Sequence, residues 1–393
     1  MYKKIEIAKS ARNAVKAGHP WIFSGKIISP LDQYESGETV YVYCEGSFLG
    51  TGFVSPKNSI CVRMISRAEV KTDKDFFVER FNKMRLLKKF FLSKETNMYR
   101  LCFSEGDFIP GLIVDDYDGN LVIQTNSAGA MRNRNLIVEA LVSSFSPASI
   151  IDRTDNDAYR LEKFERLSEG NLLYGSLSEE NVIMKENGIL FYVDIMNGHK
   201  TGFYLDQREN REIVSKISSE KRVLNLCSYT GGFTLYSLIG GASSTVSVDI
   251  SSKVLNLLDM NVKLNNISSD KNLSVKASMF DYVANENIED FDIIIIDPPA
   301  FAKHLSEARQ AEKAYKFING AVLKKAKSGA LILTSSCTSV VTAEMFANII
   351  EQSIKETKRD VKIMKKTFMP PDHPVLFHFK EAEYLKSFLL CAL

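Results

Sequence analysis

The chain has 393 residues, of which 45% are hydrophobic and 25% charged; this balance excludes a disordered polyelectrolyte, and the length excludes one ordinary core. The longest apolar run, around Ile293 to Ile296, is far short of the roughly 18 residues a membrane span needs, and MYKKIEIAKSARN at the start carries no apolar stretch behind its lysines, so neither a membrane partner nor a secretion signal is expected. The net charge of +2 hides an asymmetry, because residues 1–94 hold 17 Lys and Arg against 9 Asp and Glu while residues 95–393 hold 33 against 39.

A basic leading segment ahead of an acidic body points to a module that docks on a polyanion. The plainer alternative is a solvated charged helix, since much of the excess falls between Lys71 and Lys94. Six cysteines (Cys44, Cys61, Cys102, Cys227, Cys337 and Cys391) lie far apart with no CxxC pair. That argues against a zinc knuckle or a disulfide scaffold and for a reducing, cytoplasmic compartment.

In chain order, residues 1–70 read as short strands. ETVYVYCE, FLGTGFVSP and SICVRMIS are rich in β-branched and aromatic residues and are bounded by Gly, Pro, Asn and Ser, the pattern of a small β-barrel. Phe77, Phe81, Met84, Leu87 and Leu92 then recur at helical spacing across 76–92. A mixed stretch follows: strands at RLCFSE, GLIVDDY, NLVIQTN and SIIDRTD, and a helix over 130–145. NVIMKENGILFYVDI is a hairpin turning at Asn187-Gly188. From Arg222 strands and helices alternate, which predicts a parallel sheet covered on both faces, with its ligands beyond the carboxyl ends of the strands. The expected division is a β-barrel over 1–72, a linker helix with a central α/β domain over 73–190, and a third domain over 191–393.

Unusual residues stand where those strands end. Asn225-Leu-Cys-Ser-Tyr-Thr-Gly-Gly232 joins a strand to a helix, and Gly231 and Gly232 allow close backbone approach. Cys227 and Tyr229 occupy the places of the early glycines in the GxGxxG dinucleotide pattern, which disfavours NAD. Asp249 closes the next strand and suits the two hydroxyls of a ribose, and Asp281, after the third strand, suits an adenine amino group. The fourth strand ends in Asp297-Pro298-Pro299-Ala300-Phe301, a stiff exit with an acid at its lip. The fifth ends in Ser335-Ser336-Cys337-Thr338-Ser339, so one crossover brings a thiol beside Asp297, the position of a nucleophile. Gly198 to Arg211 is dense in polar groups and is expected to form a lid. Pro370 to Pro374 is a rigid turn expected to carry Asp372 and His373 into the cleft.

Residues 190–393 resemble the Rossmann-like S-adenosylmethionine (SAM)-dependent methyltransferases. Nearly the whole chain resembles the PUA-containing bacterial rRNA cytosine-C5 methyltransferases of the large-subunit methyltransferase I type. The resemblance is carried by GHPWIFSGKI at 18–27, EGDFIPGLIVDDY at 105–117, TGFYLDQRENR at 201–211, SYTGGF at 228–233, DPPAF at 297–301, SSC at 335–337, DHP at 372–374 and YLK at 384–386. The chain departs from it at Ala300, where Lys is common, and at Thr338-Ser339, where a Ser-Gly or similar pair often follows the cysteine.

The resemblance implies a PUA barrel that grips RNA, a central α/β domain and a catalytic Rossmann-like domain. Its cofactor is SAM, its partner large-subunit rRNA, and its assembly is expected to be a homodimer. Implied cofactor contacts are Asp206 and Arg208 at the methionine end, Asn225, Cys227, Ser228, Tyr229, Thr230 and Gly231 along the turn, Asp249 with Ile250 at the ribose, Ser278, Met279 and Asp281 near adenine, and Asp297 between cofactor and base. Cys337 matches the cysteine that attacks the base, with Asp297 as its catalytic partner and Asp372 or His373 as a candidate proton acceptor. Two other readings stand beside this one: methylation of a base nitrogen, which needs no thiol, and an RNA assembly factor that binds SAM without turning it over.

Overall fold

The computed structural model describes residues 2–393 except 166–170, 178–180 and 303. The chain divides into two compact units, one of residues 1–188, 193–205 and 371–382, the other of 189–192, 206–370 and 383–393.

The first unit opens with a five-stranded sheet in the order β1-β3-β4-β5-β2, from β1 (Lys3–Glu6), β2 (Trp21–Phe23), β3 (Thr39–Cys44), β4 (Ser47–Val54) and β5 (Ile60–Ser66). Its core is apolar: Ile5, Val40, Val42, Val54 and Val62 are fully buried. The reading of 1–70 as strands alone is corrected by α1 (Lys9–Ala17), which buries Ala11 and Val15, four residues apart, and stops at Gly18 in the left-handed region. The helix is short and its apolar side is made of small residues, so it is amphipathic yet easily passed over between strand-like runs.

Helix α2 (Lys74–Lys89) is capped by Asp73, whose carboxylate accepts from the Phe76 amide, and buries Phe77, Phe81 and Met84. It covers a second sheet in the order β10-β9-β8-β7-β6: β6 (Met98–Phe103), β7 (Leu112–Tyr117), β8 (Asn120–Thr125), β9 (Ser149–Asp152) and β10 (Leu172–Gly175). The helix expected over 130–145 is two, α3 (Ala128–Arg132) and α4 (Arg134–Phe145). They break at Asn133, whose side-chain amide donates back to the Gly129 carbonyl at 2.8 Å and competes with the helix ladder. Strands β11 (Asn181–Glu186) and β12 (Ile189–Asp194) join at Asn187 and Gly188, both at positive φ, as a two-residue hairpin turn demands.

Barrel and central sheet are tied together by buried ions. Glu162, at the end of α5 (Asn156–Glu162), accepts from Arg63 of the barrel at 2.7 and 3.3 Å, from Asn58 at 3.1 Å and from the Ala128 amide at 3.0 Å. Trp21 donates to Glu105 at 2.7 Å, and Lys88 reaches Asp107 at 2.8 Å with no solvent exposure. Both acids lie in the EGDFIPGLIVDDY segment, so that stretch works as mortar between layers. Removing one partner of such a pair strands a buried charge. Glu162→Ala is therefore expected to lower the stability of this unit by about 3–5 kcal/mol, read as an earlier urea transition in tryptophan fluorescence, since Trp21 lies in this unit; an unshifted transition would contradict it.

The second unit is a seven-stranded sheet in the order β15-β14-β13-β16-β17-β19-β18. Its strands are β13 (Arg222–Leu226), β14 (Ser244–Asp249), β15 (Asn272–Lys276), β16 (Ile293–Ile296), β17 (Leu331–Ser336), β18 (Val361–Thr367) and β19 (Lys386–Ala392). The helices are α6 (Arg208–Ile217), α7 (Gly232–Ile239), α8 (Ser252–Leu264), α9 (Met279–Asn285), α10 (Ala308–Lys325) and α11 (Ala343–Thr357). The first five strands are parallel, and Ile293 to Ile296 at their centre are fully buried, the run expected of a strand covered on both faces. The all-parallel expectation fails at the edge, where β19 inserts antiparallel between β17 and β18. The strand order reverses at β13, which makes the ends of β13, β14 and β16 the natural ligand crevice. Among the described residues no helix is long and apolar enough to cross a membrane.

Candidate active site

The turn after β13 is shaped by positive φ at Cys227 (61°), Tyr229 (47°) and Gly231 (88°). Two of these are side-chain-bearing residues in a region that favours glycine. They are held there by neighbours: the Ser228 amide donates to the Val248 carbonyl at 2.9 Å, and Asn261 of α8 donates to the Thr230 carbonyl at 3.0 Å. Glycine is required at 231, since a Cβ there would lie 2.6 Å from Cγ of Leu258.

Asp249, at the end of β14, accepts from the Tyr229 amide at 3.0 Å through one oxygen and from the Ser251 amide at 3.0 Å through the other. Each oxygen keeps a further lone pair, so the carboxylate braces the turn and can still accept from a diol. Ile250 beside it is 71% exposed, an apolar face open to a ring. Ser278 caps α9, Met279 is buried with its sulfur 3.3 Å from that of Cys227, and Asp281 is exposed in the first helical turn. Three polar atoms along the turn (Asn225 Oδ1, Ser228 Oγ and Thr230 Oγ1) are buried without a hydrogen-bond partner among the described residues. Buried polar groups are rarely left so, and here they mark a place for a polar ligand.

Asp297 follows β16 and accepts from Nε2 of Gln207 at 2.7 Å. That amide is oriented by Asn210, which donates to Gln207 Oε1 at 2.6 Å and to Ser387 Oγ at 3.0 Å, while Thr367 donates to Asn210 at 2.6 Å. Positions 207, 210 and 211 share a helical face, with Arg211 packed beneath Gly232. Asp206 accepts from the Tyr384 hydroxyl at 2.6 Å, and Arg208 is buried at the start of α6. The expected lid is thus corrected in part: residues 206–211 form a 3₁₀ turn and a packed helix, a fixed wall bearing the polar relay.

Cys337 follows β17, half-buried, with its sulfur 3.5 Å from the Pro298 carbonyl next to Asp297. The thiol and the carboxylate of neighbouring strand ends therefore share one corner. Thr338 donates to the Ala302 carbonyl at 2.6 Å and pins the turn. Cys227 is the wrong sulfur for chemistry, because burial and the nearby Asp249, Asp297 and Cys337 push its thiol far up. Asp372 and His373 are corrected too. Both belong to the first unit, where Asp372 accepts from the Arg100 amide at 3.1 Å and pairs with His373, whose ring packs on Phe103. A short Pro-rich turn looks exposed in sequence, but long-range contacts with β6 bury it.

Gln207, Asn210, Tyr384 and Lys386 escaped the sequence reading. The first two had a signal in the polar run before the sheet; Tyr384 and Lys386 acquire their place only through the β17–β19 pairing.

Residues 5–67 match the PUA-like domain family, and residues 159–374 match the S-adenosylmethionine-dependent methyltransferase family. Ribosomal RNA large subunit methyltransferase I of Aliivibrio fischeri strain MJ11 is 35% identical over 393 residues, covering 99% of both chains, and that of Vibrio parahaemolyticus is 36% identical over 395 residues with the same coverage. A solved chain, SMU.776, described as a methyltransferase complexed with SAH, superposes over 100% of both chains with a TM-score of 0.86 at 26% identity.

The residues present fit SAM. The orphaned turn atoms offer hydrogen bonds, Asp249 offers a diol acceptor and Asp206 with Arg208 offers charge for an amino acid end. A two-unit chain whose glycine turn, acids and sulfur stand at the carboxyl ends of its parallel strands, and which aligns end to end with these relatives, belongs to the PUA-containing, SAM-dependent methyltransferase family of ribosomal RNA large subunit methyltransferase I.

Proposed function

We propose that this chain methylates C5 of a cytosine in RNA of the large ribosomal subunit, through a transient bond between Cys337 and C6 of the base. The carrying observation is the sulfur of Cys337 at 3.5 Å from the carbonyl adjoining Asp297. SAM, held by Asp206, Arg208, the 225–231 turn, Asp249 with Ile250, and Ser278, Met279 and Asp281, supplies an electrophilic methyl group. The rest is the work of the protein. Carbon 5 of cytosine is a weak nucleophile inside an aromatic ring. The Cys337 thiolate adds to C6, forming a C–S bond and pushing the C5–C6 π pair toward C5 and N3. Asp297, oriented by Gln207, holds the proton at the N3 and amino edge that accepts this charge. Loss of the C5 proton after alkylation returns the pair to the C5–C6 bond and expels the thiolate, so Cys337 is regenerated.

The first unit supports the substrate assignment through its PUA-like match and its basic N-terminal region. In this reading the 1–72 barrel holds RNA phosphates, the 73–190 region forms the central domain, the 191–393 domain carries the catalysis, and the base unstacks at a cost of a few kcal/mol. An enzyme of ribosomal RNA works in the cytoplasm. Nucleoside mass spectrometry of large-subunit rRNA treated with protein and SAM tests the proposal, with 5-methylcytidine as the expected product. A methylated base nitrogen, or no product despite SAM binding, would overturn it in favour of the two other readings.

A further inference from the structure

Strand β19 runs antiparallel to β17 with Lys386 directly opposite Ser336, the residue before Cys337. The lysine is only 2% exposed. Its ammonium donates to the carbonyl of Thr338, the residue after Cys337, and to that of Tyr384 at 3.0 Å. Neither acceptor carries a charge, and among the described residues no carboxylate lies within ion-pair distance of Nζ. A buried ammonium satisfied only by carbonyls is incompletely compensated. Burial accordingly draws its pKa down to about 8, and the ionisable groups it senses are Cys337 first and Glu383 second.

Anionic and ionisable groups stand near Cys337. Asp297 stands at the end of β16, the neutral Cys227 follows β13, and Tyr315 of α10 has a hydroxyl that burial and the same Cys337 and Asp297 push far up. Negative charge next to a thiol raises its pKa, and a cation is what reverses that.

Resting on the reading of Cys337 as the nucleophile, we propose that Lys386 is its positioning residue, an ammonium that holds the sulfur as thiolate while its carbonyl contact with Thr338 fixes the turn. Lysine and cysteine then titrate as a coupled pair. Uncharged replacement raises the thiol's pKa, so the thiolate fraction at neutral pH falls.

The test is the pH profile of Cys337 alkylation by iodoacetamide in the full-length protein, followed by mass spectrometry of the Cys337 peptide; the C–S bond forms as iodide leaves. Lys386→Gln keeps a donor for the Thr338 carbonyl but no charge. It is expected to raise the profile midpoint by about one pH unit and slow alkylation at pH 7 about tenfold, whereas Lys386→Arg leaves the midpoint near wild type. A Lys386→Gln midpoint within about 0.3 unit of wild type overturns the proposal. Should that variant fail to fold, the reciprocal measurement decides. Cys337→Ser removes the anion, so the Lys386 amine, followed by NMR of its Nζ, should titrate at lower pH, and an unmoved titration overturns the pairing. Loss of methyl transfer in Cys337→Ala without any Lys386 effect would keep the reaction and sink only this inference. The opposite pattern would keep the ion pair and sink the cytosine chemistry.

Discussion

Cys337→Ala is expected to lower the rate of methyl transfer by about 10⁴-fold or more while SAM affinity changes less than about threefold. The asymmetry follows from position. The sulfur projects beyond β17 toward Pro298, while the orphaned hydrogen-bonding atoms that suit the cofactor lie on the turn after β13. Alanine leaves Thr338 tied to Ala302 and Lys386 tied to Thr338, so the corner keeps its shape and loses only the sulfur proposed to attack the ring. Single-turnover transfer of tritiated methyl to large-subunit rRNA, paired with calorimetric SAM binding, checks both halves. Turnover within tenfold of wild type would show that no bond to sulfur is needed and would favour a base nitrogen as the target.

Asp297→Asn is expected to cost about 10²–10⁴-fold in the same assay, the usual range for a positioned proton-transfer group. The substitution preserves volume and removes the charge, and Gln207 would still find an acceptor in the new amide oxygen. Gln207→Ala should cost less, because it acts only by aiming the carboxylate. In the proposed reaction Cys337 and Asp297 serve one electron movement, so Cys337→Ala with Asp297→Asn should be barely worse than the worse single variant. Multiplicative losses would mean that they serve separate steps.

Much of the second unit was legible along the chain. Alternation of apolar runs with amphipathic stretches marks β13 to β17 and their helices, because each element's buried pattern is local. Strand ends followed by Gly231-Gly232, Asp297-Pro298-Pro299 and Cys337 could be set side by side by the rule for parallel sheets alone. Features that failed are those whose burial is decided elsewhere. The nine-residue α1 is amphipathic but its apolar side is made of small residues, and the break at Asn133 depends on one side chain turning back to Gly129.

Sequence by itself thus determined the alternation of strands and helices from β13 to β17 and which chemical groups stand at those strand ends. Tertiary structure decided that β19 enters antiparallel, that Asp372 and His373 face Arg100 and Phe103 within the first unit, and that Lys386 lies against the turn of Cys337. The physical reason is range. Periodicity and turn chemistry are properties of neighbouring residues, whereas the partner of a buried charge is set by strand register across some fifty positions, which no local pattern encodes.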